Sequence, residues 1–469
     1  MSLSPVATRE SAALERPGTT RRDFVARALA GHAGDERTLV VTVQAPRAHP
    51  EGLLRLPGRS LGFLWVPPSD LGKCHAFAGV GAVHRLDLDG PGRFADLRRR
   101  ADELWRRVVT ASAPGCDAPR PRLFGGFAFD VGAASSEPWR DFGDGCFTLP
   151  RLLYACRGDG ASLSLAAGGR ELVRGADRDR LLDELQAAAL ELELDAVAPR
   201  ALPAIAAIEP SDAGWTEEIE AIRAAIAAGR CEKIVAARPS RVEFAAPLDT
   251  VDVLLRLARG LRASTRFAFC RERSAFLGAT PERLIARRGL EIETEALAGS
   301  IATGAEHAAR LLGSGKDQRE HRLVVDAIVR RLAPLCARFE AAPEPRVREL
   351  REVLHLHTPI HGTLAAPRHV LELVESLHPT PAVGGVPTAA AMRWIAEHES
   401  DERGWYAAPV GWFDAAGDGE FAVALRSCVL RGREAYLYAG AGIMRDSDPE
   451  LERRETELKK QALLRALGA

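Results

Sequence analysis

Antiparallel runs of strands with helices set between them, an α+β fold, are the reading these 469 residues favour over a doubly wound parallel sheet. Two observations support it. Short apolar runs come in close pairs divided by turn residues, as hairpins do: Phe267–Phe269 with Ala275–Leu277, and Leu284–Ala286 with Glu291–Glu293. Helical periodicity appears instead in isolated segments, without the regular strand-helix alternation of a βαβ chain.

Bulk properties narrow the class. Hydrophobic residues make up 46%, charged residues 27%, and the formal net charge is −1. No global field points to nucleic acid or an acidic membrane. No apolar run approaches the ~18 residues that span a bilayer. Ser2–Arg22 lacks an apolar core, so no signal peptide is expected and a cytoplasmic location follows. Cysteines at 74, 116, 146, 156, 231, 270, 336 and 428 form no CxxC pair, which reads as reduced thiols rather than a zinc ribbon. A monomer is the default.

Taken in order, Leu39–Val43, Leu61–Val66 and Leu123–Phe129 read as strands and Phe94–Val109 as a helix. Ala196–Pro210, with three prolines and no period, reads as a linker or crossover between an N-terminal region 1–205 and a catalytic region 206–469. Thr216–Ala228 is a helix closed by Gly229, followed at once by a strand, Lys233–Ala237. A helix spans about Lys316–Cys336. Val410–Phe413 and Phe421–Leu430 read as strands leading to Glu434–Ala439, and a helix from Glu450 ends the chain.

The chemistry concentrates in a few places. Only five of the 63 basic residues are lysine: Lys73, Lys233, Lys316, Lys459 and Lys460. Arginine stays protonated, whereas a buried lysine can release its proton, so each lysine is a candidate for lysine-specific work. Lys233, on an apolar strand, reads either as a base or as a strand-end lysine reaching water. Ser447-Asp448-Pro449-Glu450 reads as a capping box with Ser447 at the cap, and Glu452, Glu455 and Lys459 then share one helical face. The bland alternative is a solvated charge stripe. Asp317 and Glu320, three apart on the earlier helix, would complete a four-carboxylate set for Mg²⁺ if the two helices faced each other. Glu282, after Pro281, reads as a general acid kept protonated by burial or as a turn residue paired with Arg283.

Three decoys are set aside. Gly313-Ser314-Gly315-Lys316 lacks the Ser/Thr and first-glycine spacing of a P-loop, and Gly79-Val80-Gly81 lacks the third glycine of a dinucleotide loop. His355, His357 and His361 read as one substrate-facing histidine among structural ones rather than a zinc cluster.

In order along the chain, Glu232–Arg238, Thr280-Pro281-Glu282, Leu297-Ala298-Gly299-Ser300, Lys316–His321, Gly440–Ile443 and Glu452-x-x-Glu455-Thr456-x-x-Lys459 resemble the chorismate-binding enzymes. That family includes anthranilate, aminodeoxychorismate, salicylate and isochorismate synthases. The resemblance covers Thr216 to the C-terminus, with Phe124–Asp130 as a weaker N-terminal match. It implies a sandwich of large antiparallel sheets with helices outside. It also implies Mg²⁺ held by Glu320 and Glu455, with Asp317 and Glu452 acting through water. Arg426 and Lys459, with the Gly440 and Gly442 amides, would take the carboxylates of chorismate. Gly299, Ser300, His355 and Ala382 would line the ring site. Lys233 would activate water at ring carbon 2, and Glu282 would protonate the departing hydroxyl at carbon 4. The loop His378–Pro387 and a lysine at 233 are the form seen in isochorismate synthases, which implies that activity, in menaquinone or siderophore synthesis. Salicylate synthase, an ammonia-using member and an inactive binding paralogue are the alternatives.

Overall fold

The computed structural model describes residues 20–57, 61–68, 75–194, 198–210, 214–304 and 306–469. Most of the N-terminal stretch, Lys73, Cys74 and part of the expected linker (residues 196–197) lie outside the described residues.

Two large sheets form the molecule, one of 13 strands and one of 10. Among the described residues the pairings are antiparallel, except that Thr38–Gln44 runs parallel to Val108–Ser112. Side-chain alternation decides how the sheets pack. On Gly62–Val66, Phe63 and Trp65 face the second sheet, while Leu64 faces the outer helices. The inner layer is aromatic: Phe63 stacks on Phe124 of the opposite sheet at 3.9 Å, and Phe77 meets Trp412 edge-on at 5.5 Å. Such pairs add roughly 0.5–1.5 kcal/mol each beyond the area they bury. The outer face of the larger sheet is covered by helices, including Thr250–Gly260 and the terminal helix, through Val253, Leu254, Leu257 and Leu463. With both faces buried, its strands read as continuous apolar runs. This is the expected α+β sandwich. N- and C-terminal strands share both sheets, since Gly62–Val66 pairs with Thr265–Cys270 and Arg122–Phe127 with Pro409–Asp414. None of the described helices is long and apolar enough to cross a membrane.

Eight strands carry the site: β1 (Lys233–Phe244), β2 (Ser274–Thr280), β3 (Arg283–Arg288), β4 (Glu291–Ala302), β5 (Val353–Leu364), β6 (Gly419–Val423), β7 (Ser427–Arg431) and β8 (Glu434–Ile443). Two helices join them, α1 (Gly315–Leu332) and α2 (Pro449–Ala466). Strands β1, β2, β7 and β8 belong to the larger sheet, and β3–β6 to the smaller. The chain therefore crosses between sheets at Pro281-Glu282 and again at Ala424–Arg426. The two crossings are stitched together. Ala279 N donates to Arg426 O at 3.1 Å, Val423 N to Glu282 O at 3.1 Å, and Thr280 Oγ1 to Val423 O at 2.6 Å.

Four expectations change. The helix at Phe94 is Arg93–Trp105, and the β-branched Val108 and Val109 already pair with Thr38 and Leu39. The end of the linker, Ile205–Pro210, is an edge strand on β1. Phe421–Leu430 is not one strand but parts of β6 and β7, in different sheets, broken at Arg426, whose φ is 49°. The helix from Lys316 ends at Leu332, because Pro334 lacks the N–H to continue it, and Cys336 opens a strand.

Candidate active site

Where the chain crosses between sheets, a cavity of about 720 Å³ opens between β1, β8, β4, β5 and the two helices. Glu282 sits on its wall at the first crossing, 4% exposed. Burial, with the Glu295 carboxylate nearby, pushes its carboxyl up to about 8, although the Lys233 and Lys459 ammoniums pull the other way. Glu282 is therefore a carboxylic acid at neutral pH. It is not partnered by Arg283, which turns instead to Glu293 and Glu420.

Opposite lies a neutral imidazole. A bulge at Gly299 (φ 74°) brings Ser300, rather than its neighbour, alongside His355 on β5. His355 Nε2 lies 3.1 Å from Arg426 Nη2, and Nδ1 lies 3.0 Å from Ser300 Oγ and 3.3 Å from Gly299 O. A guanidinium only donates, so Nε2 is the acceptor and the ring proton sits on Nδ1. Burial, then the Arg426 and Lys459 charges, hold His355 well below the usual histidine range. Arg426 is also buried and is pulled down to about 10, so it remains a cation facing the cavity. His357 is tied to Glu295 at 2.8 Å, and His361 is exposed, so the three histidines form no cluster.

The two acidic helices do face each other. Ser314 caps α1 by accepting from Asp317 N, which explains the Gly-Ser-Gly-Lys run as a helix start. On α2 the cap is Asp448, which accepts from Leu451 N at 2.9 Å; Ser447, expected at the cap, instead accepts from Met444 N. Glu320 and Glu455 both line the cavity, and Lys316 of α1 reaches Glu452 of α2 at 2.8 Å. Asp317 packs beneath Gly299, where any side chain would lie 3.1 Å from its Cβ. Burial and the Glu320 and Glu455 charges raise the Asp317 carboxyl, and burial with Glu455 raises Glu452.

Scarce lysines are the counter-charges. Lys316 pairs with Glu452 and Lys459 with Glu455 at 2.6 Å, while Lys233 donates to Glu320 Oε1 at 2.7 Å. Burial alone would raise the Glu320 carboxyl, but the Lys233 charge and hydrogen bond hold it below the usual range. This rules out the strand-end lysine reaching water: Lys233 is fully enclosed and half of an ion pair. Gly442 makes room for that pair, since a Cβ there would fall 2.5 Å from Glu320 Oε1 and 2.6 Å from Lys233 Cε. The carbonyl of Gly440 takes the Lys459 ammonium at 2.8 Å. The fourth described lysine, Lys460, is structural, bonded to Ser240 and Glu457. Among the described residues no three His, Cys, Asp or Glu side chains are drawn together as a bound metal would draw them.

These neighbours agree with comparisons to known proteins. The family model described as chorismate binding enzyme matches residues 41–468. The chain belongs to the chorismate-binding enzymes. Isochorismate synthase MenF of Bacillus subtilis is 37% identical over 423 residues, 87% of this chain and 88% of that protein. The salicylate biosynthesis isochorismate synthase of Pseudomonas aeruginosa is 38% identical over 422 residues, 84% of this chain and 83% of that one. The structure of MenF, the menaquinone-specific isochorismate synthase from Escherichia coli, matches with a TM-score of 0.75 at 28% identity, covering 94% of this chain and 99% of that one.

For this chorismate-binding enzyme, the structure adds wall residues that sequence reasoning missed. Tyr406, 4% exposed, lines the cavity, and its ring stacks on Tyr438 at 5.4 Å. Burial raises its phenol, which stays protonated, a neutral hydroxyl near Arg426. Ala407 beside it has φ 60°. It and Arg426 are the non-glycine residues with positive φ among those described, and both line the cavity, so the backbone strain is concentrated here. A tyrosine among aromatic core residues carries no signal in sequence; only the pair of crossings turns it inward. The wall at Ala382 comes from a loop held to β1, where Val235 N donates to Gly384 O at 2.9 Å and Glu232 N to Val386 O at 2.7 Å.

Proposed function

We propose that this enzyme is an isochorismate synthase that uses Mg²⁺. The observation that carries the reading is a cavity lined by a proton-holding carboxyl, Glu282, with the enclosed Lys233 just behind its wall, bonded at 2.7 Å to the lining residue Glu320. Arg426 and Lys459 supply cationic walls for an anionic substrate, and His355 and Tyr406 supply neutral polar ones. In this reading Arg426 and Lys459 seat the carboxylates of chorismate and align the ring. Once its bond to Glu320 is released and its own proton is lost to solvent, Lys233 takes the proton of the water that adds at carbon 2. The ring double bonds shift, the bond from carbon 4 to its hydroxyl breaks, and Glu282 protonates the leaving oxygen to water. One water enters and one leaves, so the product is an isomer. Positioning between a fixed acid and base supplies much of the acceleration.

The donor set fits a hard divalent cation. Glu320 and Glu455 line the cavity from two facing helices, and burial, then neighbouring carboxylate charge, raises Asp317 and Glu452 behind them. The acids are of the kind such an ion takes, although no three among the described residues are yet drawn together. Glu320 and Glu455 would hold Mg²⁺, with Asp317 and Glu452 steadying it through water. When bound it supplies positive charge that neutralises the substrate's anionic groups. The relatives' names divide between menaquinone and salicylate biosynthesis, and the site supports the activity they share. Incubation with chorismate and Mg²⁺, with and without ammonia, tests the reading by product identification. Isochorismate is the expected product. Pyruvate release, ammonia-dependent products or no turnover would each overturn it.

A further inference from the structure

Arg403 takes no part in the chemistry above, yet it lines the cavity and is only 3% exposed. Its charge is met by Glu399, four residues earlier at the end of a helix, through Nε at 2.7 Å and a second contact from Nη2. Its face lies over Phe129, with Cζ 4.3 Å from the ring centroid. The rest of the guanidinium reaches backbone. Nη1 donates to Val383 O at 2.8 Å and Nη2 to Val235 O at 2.7 Å.

Both carbonyls belong to residues that line the cavity. Val235 lies two residues beyond Lys233 on β1, and Val383 follows Ala382 in the wall loop. Val235 N already donates to Gly384 O and Glu232 N to Val386 O, so the lysine-bearing strand and that loop are joined directly, and Arg403 adds a guanidinium bridge between them. Only a planar, multi-donor cation spans both carbonyls and a carboxylate at once; an ammonium on a flexible stem does not reproduce that fork. The carbonyl of Arg403 also accepts from Tyr406 N at 2.9 Å, so its backbone is continuous with a second wall residue.

We propose that Arg403 is a positioning residue for the hydration step: its fork sets the spacing between the Lys233 strand and the 380–384 loop, and so the line from the amine through water to ring carbon 2. This rests on the isochorismate synthase reading. The groups that seat the substrate, Arg426 and Lys459, are bonded elsewhere, so losing the fork should misplace the base without removing the carboxylate contacts.

The test uses the full-length enzyme with Mg²⁺ and chorismate. In Arg403→Lys, kcat should fall by about 10²-fold while KM stays within about threefold, as expected when a reacting group is displaced by an ångström or so. In Arg403→Ala, methylguanidine should restore at least about tenfold of the lost kcat and methylamine should not, since only the first rebuilds the fork. A brace that merely holds the fold would lower the folded fraction and show no difference between the two amines. If Arg403→Ala does not fold, Arg403→Lys and Glu399→Gln, which leaves the guanidinium in place without its counter-charge, decide the matter by the same split between kcat and KM. Wild-type kcat in Arg403→Lys, a loss confined to KM, or equal rescue by methylamine would overturn the role. A wild-type enzyme that forms no isochorismate would sink the functional reading itself, and the role with it.

Discussion

Replacing Glu282 with glutamine keeps the size and the neutral state of the side chain but removes its proton. The carboxyl titrates near 4.5 in the unfolded chain and about 8 in the fold. Because the folded value is raised, stability is undiminished below pH ~4.5, falls as pH climbs towards about 8, and then levels. At pH 7 the unfolded chain has released this proton and the folded one has not. At about 1.4 kcal/mol per unit, the cost is on the order of 3 kcal/mol. Glutamine carries no such slope. Urea melts of wild type and Glu282→Gln should therefore agree near pH 4.5 and diverge to about 3 kcal/mol at pH 7, with the variant more stable. Activity should move the opposite way, with kcat lower by about 10²–10⁴-fold for loss of a general acid. Wild-type kcat should itself decline as pH rises through about 8, where the acid ionises. A variant with wild-type kcat would refute the acid role, and one with no stability gain at pH 7 would refute the claim that the fold holds this carboxyl neutral.

Lys233→Ala should abolish product formation while chorismate still binds, and substrate titration beside the turnover assay separates the two. The same change strands Glu320 in an enclosed site, so stability should drop by about 3–5 kcal/mol; wild-type turnover in this variant would remove the base from the mechanism. Gly442→Ala forces a Cβ against the Lys233–Glu320 pair and should abolish turnover, whereas Gly31→Ala, with no atom within 4 Å, should leave it intact. Chelation by EDTA should stop product formation and added Mg²⁺ should restore it. Turnover that persists in EDTA contradicts the metal.

Local periodicity was a sound guide wherever one face of an element decides its conformation. The hairpins at Phe267–Leu277 and Leu284–Glu293 and the amphipathic face of α1 were legible for that reason. It failed where one apolar run serves two layers. Nothing local to Phe421–Leu430 says that the chain leaves one sheet for the other at Arg426. The caps slipped for a similar reason. Ser447 and Asp448 are both competent acceptors, and the approach of Met444, not the dipeptide, assigns them.

Which residue types do the work was already written in the chain: lysines scarce among arginines, paired carboxylates on two helices, and a glutamate behind a proline. Ordered motifs sufficed to suggest the family. Their pairing was not written there. Lys233 meets Glu320 across 87 positions, and Glu282 keeps its proton because the crossing buries it, against the pull of the nearby cations. Residue identity and spacing along an element are properties of neighbours in the chain. Ion pairing and desolvation depend on distance and enclosure in space, and sheet register and the packing of two layers set those only once the whole chain has folded.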